Sequence, residues 1–304
     1  MELVPGLHVI DAPFEGTRQI NLFLLRGERN LLVDSGVAGV PSATVLPYLH
    51  SVGLDASDLA LLVNLHAHAD HVGGNAELLE ASGGTLRIGA HRMDAPAVAD
   101  HRLLATQIYG LTDADRIATL IKRCGDDVPV EERYAGGETI DLGGGVSLQV
   151  LHIPGHTPGN ISLYSPTHRA LIQGESVMGA SQEDDEGYRT APFGTDPAAY
   201  RQGLEALRAL DFEWFLSSHR PPMRRTEGLA LIDASLTALD EFEATCRAAL
   251  MVGVTSVDEL AHAAAMGGSY RPDPRLVQQV SRLLEVWMQS GTIRRTKAGE
   301  YRLN

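Results

Sequence analysis

The chain has 304 residues, enough for one large domain and a smaller one, and 44% of them are hydrophobic, enough to bury a sizeable core. A formal net charge of −14 argues against a general polyanion binder, because nucleic-acid affinity rests on cationic contacts to phosphate. The start, MELVPGLHVIDAPFEG, lacks the features of a signal peptide, no run approaches a membrane span, and Cys124 and Cys246 show no CxxC spacing. The expectation is a cytoplasmic protein with reduced core thiols.

Residues 6–10, 19–26 and 30–34 read as successive strands, with Gly27-Glu28-Arg29 as the turn between the last two. Residues 41–52 read as a helix. The apolar run Leu59 to Val63 has the length of a buried strand, and a helical pattern starts at about Val72. Between them stands HAHADH, with His66, His68, Asp70 and His71. Alternation puts His66 and His68 on one side of an extended turn, and Asp70 and His71 point toward a second position at the helix start. Imidazole and carboxylate are the donors that borderline divalent ions prefer, so the cluster reads as a metal site.

A short strand is expected at 85–89, then helical spacing at Leu103, Leu104, Ile108, Leu111, Ile117, Leu120 and Ile121. That spacing is expected to be an amphipathic packing face, with Ile108, Tyr109 and Leu111 also candidates for a pocket wall. Strands around a glycine turn at 138–164 enclose PGHTPGN, in which Gly155 allows a sharp turn before His156. Thr157 and Asn160 are expected to brace that loop, and His152 to be structural. A hairpin at 161–173 leads to Gly174-Glu175-Ser176. The polar, acidic stretch 181–195 reads as a solvated loop at 183–186, or as a lid. Asp196-Pro197 opens a helix to about residue 210, and 214–217 form a final strand before Ser218-His219-Arg220-Pro221-Pro222.

The prolines at 221 and 222 mark the expected boundary between a domain at 1–222 and another at 223–304. Helices follow at 224–251, 255–266 and 274–290, the second opened by Ser256 three residues before Glu259. A hairpin at 292–303 turns at Lys297-Ala298-Gly299. From Arg271 to the end, seven Lys or Arg oppose three acidic residues, a local excess of +4.

HAHADH matches the HxHxDH signature of the metallo-β-lactamase-fold hydrolases, and PGHTPGN resembles that family's second motif. The fold this implies is α/β, a four-layer αββα sandwich. The terminal helices and hairpin resemble the winged-helix appendage of one branch, which includes acyl-thioester hydrolases and a few endoribonucleases. The resemblance implies that His66, His68 and His156 hold one metal, while Asp70, His71 and His219 hold another. Asp34 would orient a ligand histidine, or simply start a turn. In the family the position of Glu175 is an aspartate that bridges the metals. Glutamate leaves three outcomes: a bridge, which is the expectation; ligation of one metal; or a depleted second site.

The implied cofactors are two divalent ions, Zn2+ first, with Fe or Mn as alternatives. The implied reaction is hydrolysis of a thioester or ester by a hydroxide shared between the metals, with Asp70 orienting it or carrying a proton to the leaving group. An acyl-CoA, acyl-carrier or polyketide-type thioester is the expected substrate, with no membrane partner and no nucleic acid. The appendage would wall the cleft or form a homodimer contact. An endoribonuclease using the basic hairpin, a lactonase of the same fold, and a catalytically impaired binding module stay open as alternatives.

Overall fold

The structure, a computed structural model, describes residues 1–16, 18–180 and 186–304. The chain divides into two compact units. The first comprises Met1–Ile153, Thr157–Glu175 and Asp211–Arg225. The second comprises Pro154–His156, Ser176–Leu210 and Thr226–Asn304.

Two sheets build the first unit. Strands β1 (Glu2–Val4), β2 (Leu7–Glu15), β3 (Arg18–Leu25), β4 (Asn30–Val33), β5 (Leu59–Val63), β6 (Arg87–His91) and β7 (Glu132–Tyr134) follow one another in space as in sequence. β1 to β4 are antiparallel, and β4 to β7 are parallel. β4 and β5 carry unbroken apolar runs because both faces are covered, as parallel strands require. Leu31, Leu32 and Val33 pair with Leu61, Leu62 and Val63, so Asp34 and Asn64 leave the sheet at one level.

The second sheet has the order β13-β12-β11-β10-β9-β8. Its members are β8 (Thr139–Gly143), β9 (Val146–His152), β10 (Ile161–Ser165), β11 (Ala170–Gly174), β12 (Trp214–Ser217) and β13 (Arg220–Arg224). Only the β11–β12 pairing is parallel, which brings Gly174 opposite Ser217. Pro221 and Pro222 lie inside β13, an edge strand, where a missing N–H interrupts no ladder.

Side-chain alternation divides β3 between two cores. Ile20, Leu22 and Leu24 join the core beneath the helices, whereas Phe23 and Leu25 join Val150, Leu163, Ile172 and Leu216 between the sheets. The helical layer contains α1 (Leu46–Ser51), α2 (Ala69–Val72), α3 (Asn75–Ala81), α4 (Ala95–Ala99), α5 (His101–Leu103) and α6 (Ala114–Cys124). α6 is capped by Asp113, whose side chain accepts the Arg116 N–H, and it buries Ile117, Leu120 and Cys124 on one face. Ile108, Tyr109 and Leu111 pack partly buried against the same core. No helix among the described residues is long and apolar enough to cross a membrane.

The second unit holds α7 (Pro197–Ala209), α8 (Arg225–Met251, its first residue belonging to the first unit), α9 (Val257–Gly268) and α10 (Pro274–Gln289), then the hairpin β14 (Ile293–Arg295) and β15 (Tyr301–Leu303). Asp196 caps α7, and Ser256 with Glu259 forms a reciprocal capping box on α9, as the sequence predicts. Phe242 packs edge-on against Phe193 and Tyr270, with ring centroids 5.6 and 5.0 Å away. α10 buries Leu276, Val280, Leu283, Leu284 and Trp287. Residues 181–185, which take in most of the expected solvated loop at 183–186 and the first third of the stretch 181–195 considered for a lid, lie outside the described residues.

Candidate metal centre

Strand ends deliver the chemistry-bearing side chains, and the backbone around them is tied down first. Asp34 follows β4 in a left-handed conformation with φ 61°, which aspartate tolerates better than most side chains. It is fully buried and accepts twice: from the Leu65 N–H at 2.8 Å through Oδ1, and from His71 Nδ1 at 2.7 Å through Oδ2. The Asn64 amide and the Ser35 hydroxyl both donate to the His71 carbonyl, at 2.7 and 3.0 Å. His71 is thereby fixed by its ring and by its main chain, with Nε2 turned to the other side. Asp34 does orient a histidine, in the way that outer carboxylates orient metal ligands.

The helix after β5 starts at Ala69, earlier than the apolar pattern suggests, because His68 in extended conformation serves as its N-cap. Asp70 and His71 therefore stand inside the helix rather than ahead of it. The Tyr109 hydroxyl accepts the Ala69 N–H at 3.1 Å, and the Tyr109 ring lies 4.7 Å from that of His68. Of the three residues considered for a pocket wall, Tyr109 is shown touching the cluster.

Two donor groups result. His66, His68 and His156 form one, and Asp70, His71, Glu175 and His219 form the other, each with ligand atoms within 4.8 Å of one another. Gly155, with φ 149°, makes the turn that precedes His156. Asn160 Nδ2 donates to the Ile153 carbonyl at 3.2 Å, bracing that loop from inside as expected. His152 stacks on His91 with centroids 3.9 Å apart and binds the Pro158 carbonyl, a structural position. Glu175 leaves β11 and His219 leaves the neighbouring β12, so a parallel pair carries both to the same edge. The Asn21 side chain donates to the carbonyls of Ser217 and Arg220, and His219 Nδ1 meets the Gln19 carbonyl at 3.0 Å. Those bonds fasten the His219 turn to β3.

Glu175 faces both groups. Its Oε1 lies 2.7 Å from His219 Nε2, and its Oε2 lies 3.2 Å from His71 Nε2 and 3.8 Å from His66 Nδ1. Asp70 Oδ2 lies 3.1 Å from His219 Nε2 and 3.5 Å from His71 Nε2. Burial alone raises the Glu175 carboxyl, but His71, His66 and His219 outweigh it and hold the group well below the usual carboxylate range. Burial also opposes a charged His219, yet hydrogen bonds to Asp70 and Glu175 raise it to about 10. His71 is raised well above its ordinary value against its own burial, by Asp34, Glu175 and Asp70. This pocket favours positive charge. Imidazoles and two carboxylates converging where the surroundings favour positive charge suit a pair of divalent cations, which would take the place of the protons.

Asp94 escaped the sequence reading. It is fully buried and stands at the N-cap of α4, yet its carboxylate caps nothing there and turns instead toward the loops of the first donor group. An aspartate before Ala95-Pro96 looks like an ordinary helix start, so sequence carried no signal of this other use.

A sequence model of the metallo-beta-lactamase superfamily matches residues 16–219. Among curated proteins, an acyl-coenzyme A thioesterase MBLAC2 from Gallus gallus is 31% identical over 189 residues, covering 56% of this chain and 62% of its own. A hydroxyacylglutathione hydrolase from Hyphomonas neptunium is 32% identical over 150 residues, covering 49% of this chain and 43% of its own. The chain thus spans less than two thirds of these relatives. A beta-lactamase domain protein from Burkholderia ambifaria superposes with a TM-score of 0.71 at 18% identity, covering 100% of this chain and 93% of its own. A metallo-beta-lactamase family protein from Thermus thermophilus gives 0.65 at 20%, covering 99% and 100%. Those two likenesses speak to the fold alone. Since the family match takes in more than half of the chain, including the strand ends that carry the donors, this chain belongs to the metallo-beta-lactamase superfamily.

Proposed function

We propose that the protein is a metal-dependent hydrolase of a thioester or ester, with an acyl-CoA, acyl-carrier or related acyl thioester as substrate. The observation that carries this reading is the placement of Glu175, within reach of His66 from one donor group and of His71 and His219 from the other. In this reading His66, His68 and His156 hold one cation, Asp70, His71 and His219 hold a second, and Glu175 lies between them. Zinc fits the donor set first, with iron or manganese as alternatives. Two such cations, when bound, supply a water acidic enough to ionise near pH 7 and a Lewis acid for the substrate carbonyl.

The protein's own residues do the remaining work. Glu175, kept ionised by its histidine neighbours, offsets positive charge at the centre. Asp70 is the catalytic residue. It is 6% exposed and faces His71 and His219, where it would orient the attacking water and pass a proton toward the leaving group. A thiolate needs little protonation to leave, since a thiol's ordinary pKa is about 8.5, which favours thioesters over amides. The names of the relatives, an acyl-coenzyme A thioesterase and a hydroxyacylglutathione hydrolase, support the same bond class.

The division at 1–222 and 223–304 and the winged-helix identity of the C-terminal part belong to this proposal. They are supported by the order α9, α10, β14, β15 after the long α8. The proposal also includes a cytoplasmic setting and a homodimer contact through that part. A zinc-loaded sample assayed against acyl-CoA and hydroxyacylglutathione thioesters tests the function. Turnover that drops to background in the His66→Ala and His68→Ala variants supports it. Absence of turnover, or turnover indifferent to those substitutions, overturns it.

A further inference from the structure

Three hydrogen-bond donors converge on the buried carboxylate of Asp94. The Ala67 N–H reaches Oδ2 at 3.0 Å, the Thr157 hydroxyl reaches the same oxygen at 2.6 Å, and the Gly159 N–H reaches Oδ1 at 2.7 Å. Ala67 is the residue between His66 and His68, and Thr157 directly follows His156. One side chain therefore ties the peptide between two imidazoles of the first donor group to the loop that carries the third.

Other features of the fold are built around this carboxylate. Asp94 occupies the N-cap of α4, yet its side chain makes no capping hydrogen bond to that helix, although capping is the ordinary use of aspartate there. A Cβ at residue 159 would come within 2.6 Å of Asp94 Cγ and Oδ1, so only glycine admits the approach. Thr157 is 1% exposed, and its hydroxyl is spent on this contact. All three donors are N–H or O–H groups, so an ionised carboxylate satisfies them and an amide would set its own NH2 against at least one.

We propose that Asp94 is a positioning residue that sets the spacing of His66 and His68 against His156, and so the cation affinity of that group alone. The proposal rests on the metal-site reading above. Outer-shell partners of this kind change metal affinity about 10–100-fold when removed.

The test uses the full chain, stripped of metal and titrated with Zn2+ alone against a chromophoric chelator, with apo-protein melting followed in parallel. The ion that His68→Ala fails to bind marks the first group. Asp94→Asn is expected to weaken that ion about 10–100-fold, and Thr157→Val about tenfold, while the other ion stays within about twofold. Thr157→Ser, which restores the hydroxyl, returns affinity to the wild-type value. A lowered melting temperature with both affinities unchanged, or both ions weakened equally, overturns the proposal and leaves the metal reading intact. A wild-type chain that takes up less than one zinc overturns both. Should Asp94→Asn fail to fold, the Thr157→Val and Thr157→Ser pair still decides.

Discussion

His71 and Asp34 form a fully buried pair, with Nδ1 and Oδ2 2.7 Å apart, and the pair turns His71 Nε2 toward Glu175. The carboxylate fixes which ring nitrogen faces the donor group, and burial makes that choice firm, because an imidazole rotated away would leave Asp34 an unpaired buried charge. Asparagine tolerates the φ of 61° at this position, so Asp34→Asn tests the charge and hydrogen bond without straining the backbone. The variant is expected to lose about 10–100-fold in affinity for the ion at the Asp70, His71, Glu175 and His219 group. Chelator competition measures this.

Glu175 separates the three outcomes left open by its extra methylene. Its two oxygens lie 3.8 Å from His66 and 2.7 Å from His219, one imidazole of each group, which supports the bridge proposed above. Glu175→Gln keeps the size and removes the charge, and is expected to lower zinc content from two toward one per chain. Glu175→Asp, which shortens the reach and keeps the charge, is expected to retain two. Elemental mass spectrometry of dialysed protein reads both values.

Tyr109 covers the first N–H of α2, and its ring lies tilted against that of His68. Tyr109→Phe keeps the ring and removes the oxygen, leaving the Ala69 N–H without its acceptor in a buried setting. Such an orphaned donor costs about 1–3 kcal/mol. Denaturant unfolding should shift by that amount, while zinc stoichiometry is unchanged.

Acid should destabilise the fold through His91. Burial, then the neighbouring His152, lowers its pKa from 6.5 to about 4. Arg92 lowers it further, and Glu138 opposes the shift. Its Nδ1 accepts the Met93 N–H at 3.2 Å, a bond that a proton on that nitrogen would break. Between pH 6.5 and about 4 the unfolded chain binds a proton that the folded chain refuses, so stability falls as pH drops through that window. His91→Phe, which keeps a flat ring against His152, is expected to flatten part of the decline. Melting temperatures taken across the window check this.

Local pattern alone determined several elements. The apolar run of β5, the strand Trp214–Ser217 and the Ser256–Glu259 capping box stand where the sequence puts them, because each is a short-range arrangement of apolar or capping residues. Four candidate donors, His66, His68, Asp70 and His71, can be named from the spacing of HAHADH, and His156, Glu175 and His219 through the resemblance to the family's later motifs. Only the tertiary structure decided what surrounds them. The bonds of Asp94 span 27, 63 and 65 residues, and that of Tyr109 spans 40. Contacts at such separations leave no periodicity in the chain, because they depend on which strand ends the two sheets bring to one edge.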